Sequence, residues 1–172
     1  MPKKLKSVRI EGDFAYVPLT QGYEAIIDLP DLPLVEGYNW YAWVCRRTVY
    51  AQRNVTASGG KKTTIKMHRR ITGAPSGVPV DHRDHNGLNN TRSNLRICTH
   101  QQNVHNRQLN CRSPSGFKGV HWHEKTQKWR AQIGFNGKKY HLGLYNDPEE
   151  AHKAYCEASA KYHKEYGHTG EV

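Results

Sequence analysis

Residues Pro79 to Arg107 read PVDHRDHNGLNNTRSNLRICTHQQNVHNR. Val78 and Val80 mark a short apolar strand, Arg83 to Ser93 a polar loop, Leu95 to Cys98 a second strand, and a helix follows. The helix start is legible: Thr99 is a good N-cap, and Gln102 completes a Thr-x-x-Gln capping box. A β-β-α unit this small has little core of its own, so its purpose is to present side chains. Asp81, His82, Asn94 and Asn103 are the four that stand out.

This stretch resembles the HNH nuclease family, with its ββα-metal fold, and within it the homing-endonuclease-like branch. The matching parts are Asp81-His82 ending the first strand, Asn94-Leu95-Arg96 entering the second, and Asn103-x-x-Asn106 on the helix. The signature covers residues 65–107. One departure is visible: the loop reads Asp84-His85-Asn86 where relatives usually carry Asp-Gly-Asn.

The resemblance implies metal-dependent hydrolysis of phosphodiesters. His82 is then the general base, because a neutral imidazole titrates near 6.5 and accepts a proton from the attacking water. Asp81 and the side-chain oxygen of Asn103 ligate one divalent cation per active site, Mg²⁺ or Mn²⁺, ions that prefer oxygen donors. Asn94 belongs to the catalytic centre as its structural asparagine, bridging loop backbone and holding the His82 strand in register; direct catalysis is its alternative role. Arg83, Arg92, Arg96 and Arg107 are expected to neutralise phosphates flanking the cut. His105 and Asn106 are candidates for a phosphate contact or an alternative ligand, and His68 for positioning; His85 and His100 are read as surface residues.

Two requirements attach to this reading. Asp81 and Asn103 must come close enough to share an ion, and the His82 ring must face substrate rather than the protein interior. Neighbours on a regular strand point to opposite faces, so Asp81 and His82 converge only if the strand ends or twists there.

The rest of the composition is consistent with a polyanionic partner. The chain of 172 residues carries 26 Lys and Arg against 15 Asp and Glu, a net charge of +11. Nucleic acid is the first partner such a balance implies, and an anionic membrane the second. No apolar run reaches the length of a membrane span, and the basic N-terminus (Lys3, Lys4, Lys6) has no apolar stretch behind it. A cytoplasmic protein, bacterial or phage-encoded, is expected. Cys45, Cys98, Cys111 and Cys156 form no Cys-x-x-Cys pair, so neither a zinc site nor a disulfide framework is expected.

Residues 7–66 read as β-rich. Tyr23, Ala25 and Ile27 alternate with Glu24, Ile26 and Asp28; Trp40 to Arg46, Val49 to Val55 and Thr63 to Lys66 read as further strands. Trp40, Tyr41, Trp43 and Tyr50 are most simply core. Arg46, Arg47 and Arg53 are possible phosphate contacts on what is otherwise a scaffold. Met67 to Thr72 reads as a short helix stopped by Gly73.

A linker over residues 111–115 separates this first domain, 1–110, from a second over 116–167. Phe117 to His123, Lys128 to Phe135 and Lys138 to Tyr145 read as strands, with Asn136-Gly137 a strong hairpin signal. A helix follows, with Asp147 as N-cap, Pro148 at the first helical position, and Ala151, Ala154, Tyr155, Ala158 and Tyr162 on one face. On the last two strands Trp129, Ala131, Ile133, Tyr140, Leu142 and Leu144 are expected inward, and Lys128, Arg130, Gln132, Lys139 and His141 outward.

This unit resembles the AP2 DNA-binding domain through Lys118-Gly119-Val120, Trp129 to Ile133, Leu142 to Tyr145, and Glu150-Ala151 to Tyr155. The resemblance implies DNA contacts from Lys118, His121, His123, Arg130, Gln132, Lys139 and His141. Histidine and lysine stand at several places where the family has arginine, so base preference does not carry over.

The fold class is therefore α+β: a β-rich scaffold, a ββα-metal HNH unit, and an AP2-like three-stranded antiparallel sheet on one helix. The leading function is a site-recognising, homing-type endonuclease of double-stranded DNA, acting as monomer or weak dimer, with no membrane and no small-molecule cofactor. A restriction-type enzyme, and a DNA-binding regulator with a vestigial nuclease centre, are the alternatives.

Overall fold

The computed structural model describes residues 5–45, 48–57, 59–107 and 113–170. Arg46, Arg47, Cys111 and the first part of the expected linker lie outside the described residues. The chain divides into two compact units, Met1–Cys98 and Thr99–Val172.

The first unit begins with an antiparallel meander, β1 (Arg9–Glu11), β2 (Phe14–Pro18) and β3 (Glu24–Asp28). Ala15 pairs with Ile27 and Val17 with Ala25, and all four are buried, as strict alternation with one face on a core requires. Pro33 opens the one-turn α1 (Leu32–Val35), whose last carbonyl accepts 2.8 Å from Trp40 Nε1. A second meander joins β4 (Tyr41–Cys45), β5 (Thr48–Thr56) and β6 (Lys62–Lys66). Its inner face places Ala42 and Ala51 in the same core as the first meander. The helix α2 (Met67–Thr72) adds Met67 and Ile71 to that core and ends on Gly73 at φ 63°.

Two short strands follow as a hairpin, β7 (Val80–His82) and β8 (Leu95–Ile97). The expected strand at Val78 starts two residues later. Pro79 has no N–H to give a ladder, and the Val78 carbonyl is taken by Arg69 Nη1 at 2.6 Å. Leu95 anchors the hairpin in the common core. Cys45, Cys98 and Cys156 are unbridged.

The second unit begins with α3 (His100–His105), which the sequence reading places with the preceding strands. Its capping box is present: Thr99 Oγ1 accepts from Gln102 N, and Gln102 Oε1 accepts from Thr99 N. Strands β9 (Val120–His123), β10 (Lys128–Phe135) and β11 (Lys138–Tyr145) form an antiparallel sheet in the order β11-β10-β9, backed by α4 (Pro148–Tyr162). Asn136 and Gly137 turn the hairpin at φ 50° and 73°. Asp147 caps α4 by accepting from Glu149 N at 3.0 Å. Ala131, Ile133, Ala151, Tyr155 and Ala158 are buried between sheet and helix. The chain passes so close to Tyr155 at Gly119 that a Cβ there would lie 2.0 Å from the ring, so only glycine fits.

One expectation for this sheet fails. Leu144 faces outward and is 38% exposed, because the register shifts between Ala131 and Gln132 and reverses the alternation of β11 beyond it.

Candidate active site and nucleic-acid interface

The loop between β7 and β8 is a closed polar structure, and Asn94 is its clasp. Asn94 Oδ1 accepts from Asp84 N at 3.0 Å, and its Nδ2 donates to Asp84 Oδ1 at 2.9 Å and to Asn89 O at 2.8 Å. Its carbonyl also accepts from Arg83 N, immediately after His82. His85 takes a φ of 62°, a conformation that favours glycine. Asn is the residue type whose short amide satisfies such a loop without a helix or sheet ladder.

The N-terminal meander holds this loop from outside. Ile26 N donates to Leu88 O at 2.9 Å and Asn90 N to Ile26 O at 2.7 Å, a parallel bridge from β3 to the loop. Arg92, expected on phosphate, instead binds Asp31 through Nε and Nη2, while its backbone N–H donates to Asp28 Oδ2. From β5, Thr48 Oγ1 donates to His85 O and accepts from Gly87 N. A Cβ on Gly87 would lie 2.4 Å from Val49 O, so glycine is what lets the loop press on β5.

Asp81 and His82 meet different partners. Asp81 pairs across the hairpin with Arg96, whose Nε and Nη2 donate to Asp81 Oδ2 at 2.8 and 2.7 Å. Both side chains are buried. Arg96, expected to neutralise phosphate, is thus spent on the carboxylate beside it.

His82 is 5% exposed. Its ring lies 5.0 Å, edge to face, from the ring of His68 and 5.7 Å from that of Tyr50, and Nε2 is 3.5 Å from Asn90 Oδ1. Burial pushes its imidazole below the ordinary value, partly offset by the Asn90 contact and by Asp84 and Asp81. Burial, together with the charges of His82, Lys66 and Arg69, pushes His68 down to about 3. Both rings are therefore neutral at pH 7. The ring faces inward, against the requirement that it face substrate.

Asn103 and His105 lie half-buried on α3, Arg83 and Arg107 are exposed, and Asn106 is buried at the end of the helix. Among the described residues no group of three or more His, Cys, Asp and Glu is placed to hold a metal ion. The expected ligand pair, one carboxylate and one amide oxygen, is a smaller set than that.

In the second unit, the outer face of the sheet gathers six of the seven residues expected on DNA. His121 lies opposite Arg130, and Gln132 opposite His141; His123 and Lys139 share that face. Burial and the charges of Arg130 and Lys139 push His121 below the ordinary histidine value.

Lys118 is the exception. Its Nζ donates to His105 O and Arg107 O, each at 2.7 Å, at the C-terminal end of α3. Burial pushes its ammonium down to about 8. Beside it the rings of His105 and His163 stack 3.6 Å apart, and His163 Nε2 lies 2.8 Å from Gly134 O on β10. These contacts fasten α3 to the sheet and α4. A Lys-Gly-Val run carries no signal that its lysine turns inward, and nothing in sequence marked His163 or Asn90.

Both halves of the chain are similar to known proteins. The family model described as HNH endonuclease matches residues 67–105, and that described as AP2 domain matches residues 115–165. An uncharacterized HNH endonuclease of Acanthamoeba polyphaga mimivirus is 33% identical over 141 residues, which is 78% of this chain and 68% of that protein. Protein 3.8 of Escherichia phage T7 is 33% identical over 68 residues, 40% of this chain and 56% of that protein. Among solved structures, the HNH homing endonuclease I-HmuI, which binds and cleaves DNA, covers 83% of this chain at 21% identity, with a TM-score of 0.34. The class is a nuclease with an added AP2 domain. The chain belongs to the HNH endonuclease family.

Proposed function

We propose that this nuclease is a divalent-metal-dependent, site-recognising endonuclease of duplex DNA, with His82 as its general base. One observation carries the reading: a neutral imidazole follows a carboxylate at the end of β7, in a loop clasped by Asn94. A ring without a proton at pH 7 is ready to take one from water. Asn94 and the Asp31–Arg92 pair hold that loop against thermal motion, and Arg96 fixes the Asp81 carboxylate.

Asp81 and Asn103 supply a carboxylate and an amide oxygen, hard donors that fit Mg²⁺ or Mn²⁺. Held there, the cation would stabilise charge developing on the leaving 3′ oxygen. Because the His82 ring is covered in the free protein, the reading requires that bound DNA bring it into contact with water. The outer sheet face, with Arg130, Gln132, Lys139 and His141, supplies affinity and address. A single unit of this kind cuts one strand at a time, so nicking by a monomer is the expected product.

Supercoiled plasmid incubated with the full chain tests the reading. Nicked circles are expected with Mg²⁺ or Mn²⁺ and none with chelator. Cleavage that survives the chelator removes the metal; no cleavage of any DNA with either ion removes the reading. Mapping cuts on random-sequence DNA then separates a homing-type from a restriction-type role.

A further inference from the structure

The outer face of the second meander contains a feature that the nuclease loop does not use. Register places Trp43 opposite Tyr50, and Gln52 opposite both Tyr41 and Lys66, so these five side chains share one face of β4-β5-β6. The other face buries Ala42 and Ala51. The two tryptophans of this region separate sharply: Trp40 is 2% exposed, whereas Trp43 is 39% exposed.

Trp43 is held rather than loose. Its ring stacks on Tyr50 with centroids 5.8 Å apart and 29° between planes. Lys66 Nζ lies 5.1 Å from the Trp43 centroid and 5.4 Å from that of Tyr50. Tyr50 in turn touches the rings of both His68 and His82, each with centroids 5.7 Å away. A run of ring contacts, stacked at Trp43–Tyr50 and tilted by 53° at Tyr50–His82, therefore leads from solvent at Trp43 to the His82 imidazole. An isolated exposed tryptophan needs no explanation. One that is pre-stacked, flanked by an ammonium and two ring contacts from the general base has a specific chemistry.

We propose that Trp43 is a stacking platform for a nucleobase of the strand being cut, with Lys66 beside it for that nucleotide's phosphate. The inference rests on the function proposed above and names how the substrate strand is held at that site. An unstacked base on Trp43 draws its nucleotide out of the duplex beside the scissile phosphate. The adjoining phosphate then meets a cation that is already poised over both rings. The net charge of +11 favours a polyanionic strand over an apolar peptide on this face. Stacking of this kind is tolerant of base identity, so the platform positions and does not select.

The test uses the full chain and a duplex containing the mapped nick, with 5-iododeoxyuridine placed in turn at each nucleotide flanking it. Irradiation of the bound complex is expected to cross-link one flanking position to the peptide containing Trp43. Cross-linking needs binding and not cleavage, so His82→Ala protein on the same duplex is expected to give the same cross-link, which separates failure of the platform from failure of the base. In parallel, Trp43→Leu keeps an apolar side chain and removes the π-face. It is expected to raise KM for nicking roughly ten- to a hundredfold, with Trp43→Phe within about threefold of wild type. Unchanged thermal melting of both variants keeps the comparison free of folding effects. Cross-links confined to the β9-β10-β11 sheet, or a Trp43→Leu protein with wild-type KM, would overturn the platform while leaving the endonuclease reading intact.

Discussion

Arg96 and Asp81 form a buried ion pair, Nη2 to Oδ2 at 2.7 Å, with side chains only 6% and 8% exposed. Burial penalises each charge, and the pairing offsets that penalty. Arg96→Met is expected to cost about 3–5 kcal/mol of stability, because it removes the guanidinium that compensates a buried carboxylate. Adding Asp81→Asn to Arg96→Met is expected to restore much of that loss. Urea denaturation of the three variants measures it. Nicking should stay absent in the double variant, since its stability returns but its carboxylate does not.

His68 makes stability fall in acid. Its folded pKa of about 3 lies below the ordinary value of 6.5, so the unfolded chain takes up a proton that the folded chain refuses. Stability from this group is complete above pH 6.5 and is lost as pH falls towards 3, by up to about 1.4 kcal/mol per pH unit. The downward shift of His82 acts in the same sense. Denaturation midpoints from pH 7 to 4 should slope less in His68→Leu than in wild type. For the same reason, the acid limb of kcat/KM for nicking is expected below pH 6.5.

Much of this arrangement was legible in sequence, and the exceptions have physical causes. The Thr99 and Gln102 capping box, Gly73 ending α2, and the Asn136-Gly137 turn are local devices in which neighbouring residues satisfy one another's backbone. Pattern alone therefore reveals them. Trp40 precedes β4 and is covered, with its Nε1 bonded to Val35 O, whereas Trp43 lies on the outer face of β4, a difference that no count of aromatics discloses. Leu144 turned outward because one register shift reverses every later residue of its strand. The Arg96–Asp81 pair joins positions fifteen residues apart across a loop, and only the hairpin register brings them together.

Lys118 and Arg130 look alike in sequence, yet they lie in different surroundings: Lys118 Nζ donates to His105 O and Arg107 O, whereas Arg130 lies on the outer sheet face opposite His121. Arg130→Gln is expected to lower the slope of log K against log salt for DNA binding by about 1, as loss of one phosphate contact does. Lys118→Met should leave that slope unchanged, because its ammonium is bonded to the carbonyls of His105 and Arg107. Its effect should appear instead in the melting of the second unit. Fluorescence anisotropy across a salt series makes the comparison.

Asn94→Ala removes three side-chain hydrogen bonds from the β7–β8 loop. The expected cost is about 2–4 kcal/mol. Hydrogen exchange should show faster opening between Arg83 and Ser93, with the β9-β10-β11 sheet unchanged.

Single-turnover nicking by His82→Ala against wild type, at saturating DNA and Mg²⁺, asks most directly whether this imidazole takes the proton. Removal of a positioned general base should slow the chemical step by about 10²–10⁴-fold while DNA affinity is retained. Equal rates from the two proteins would contradict the account and pass the role of base to another group.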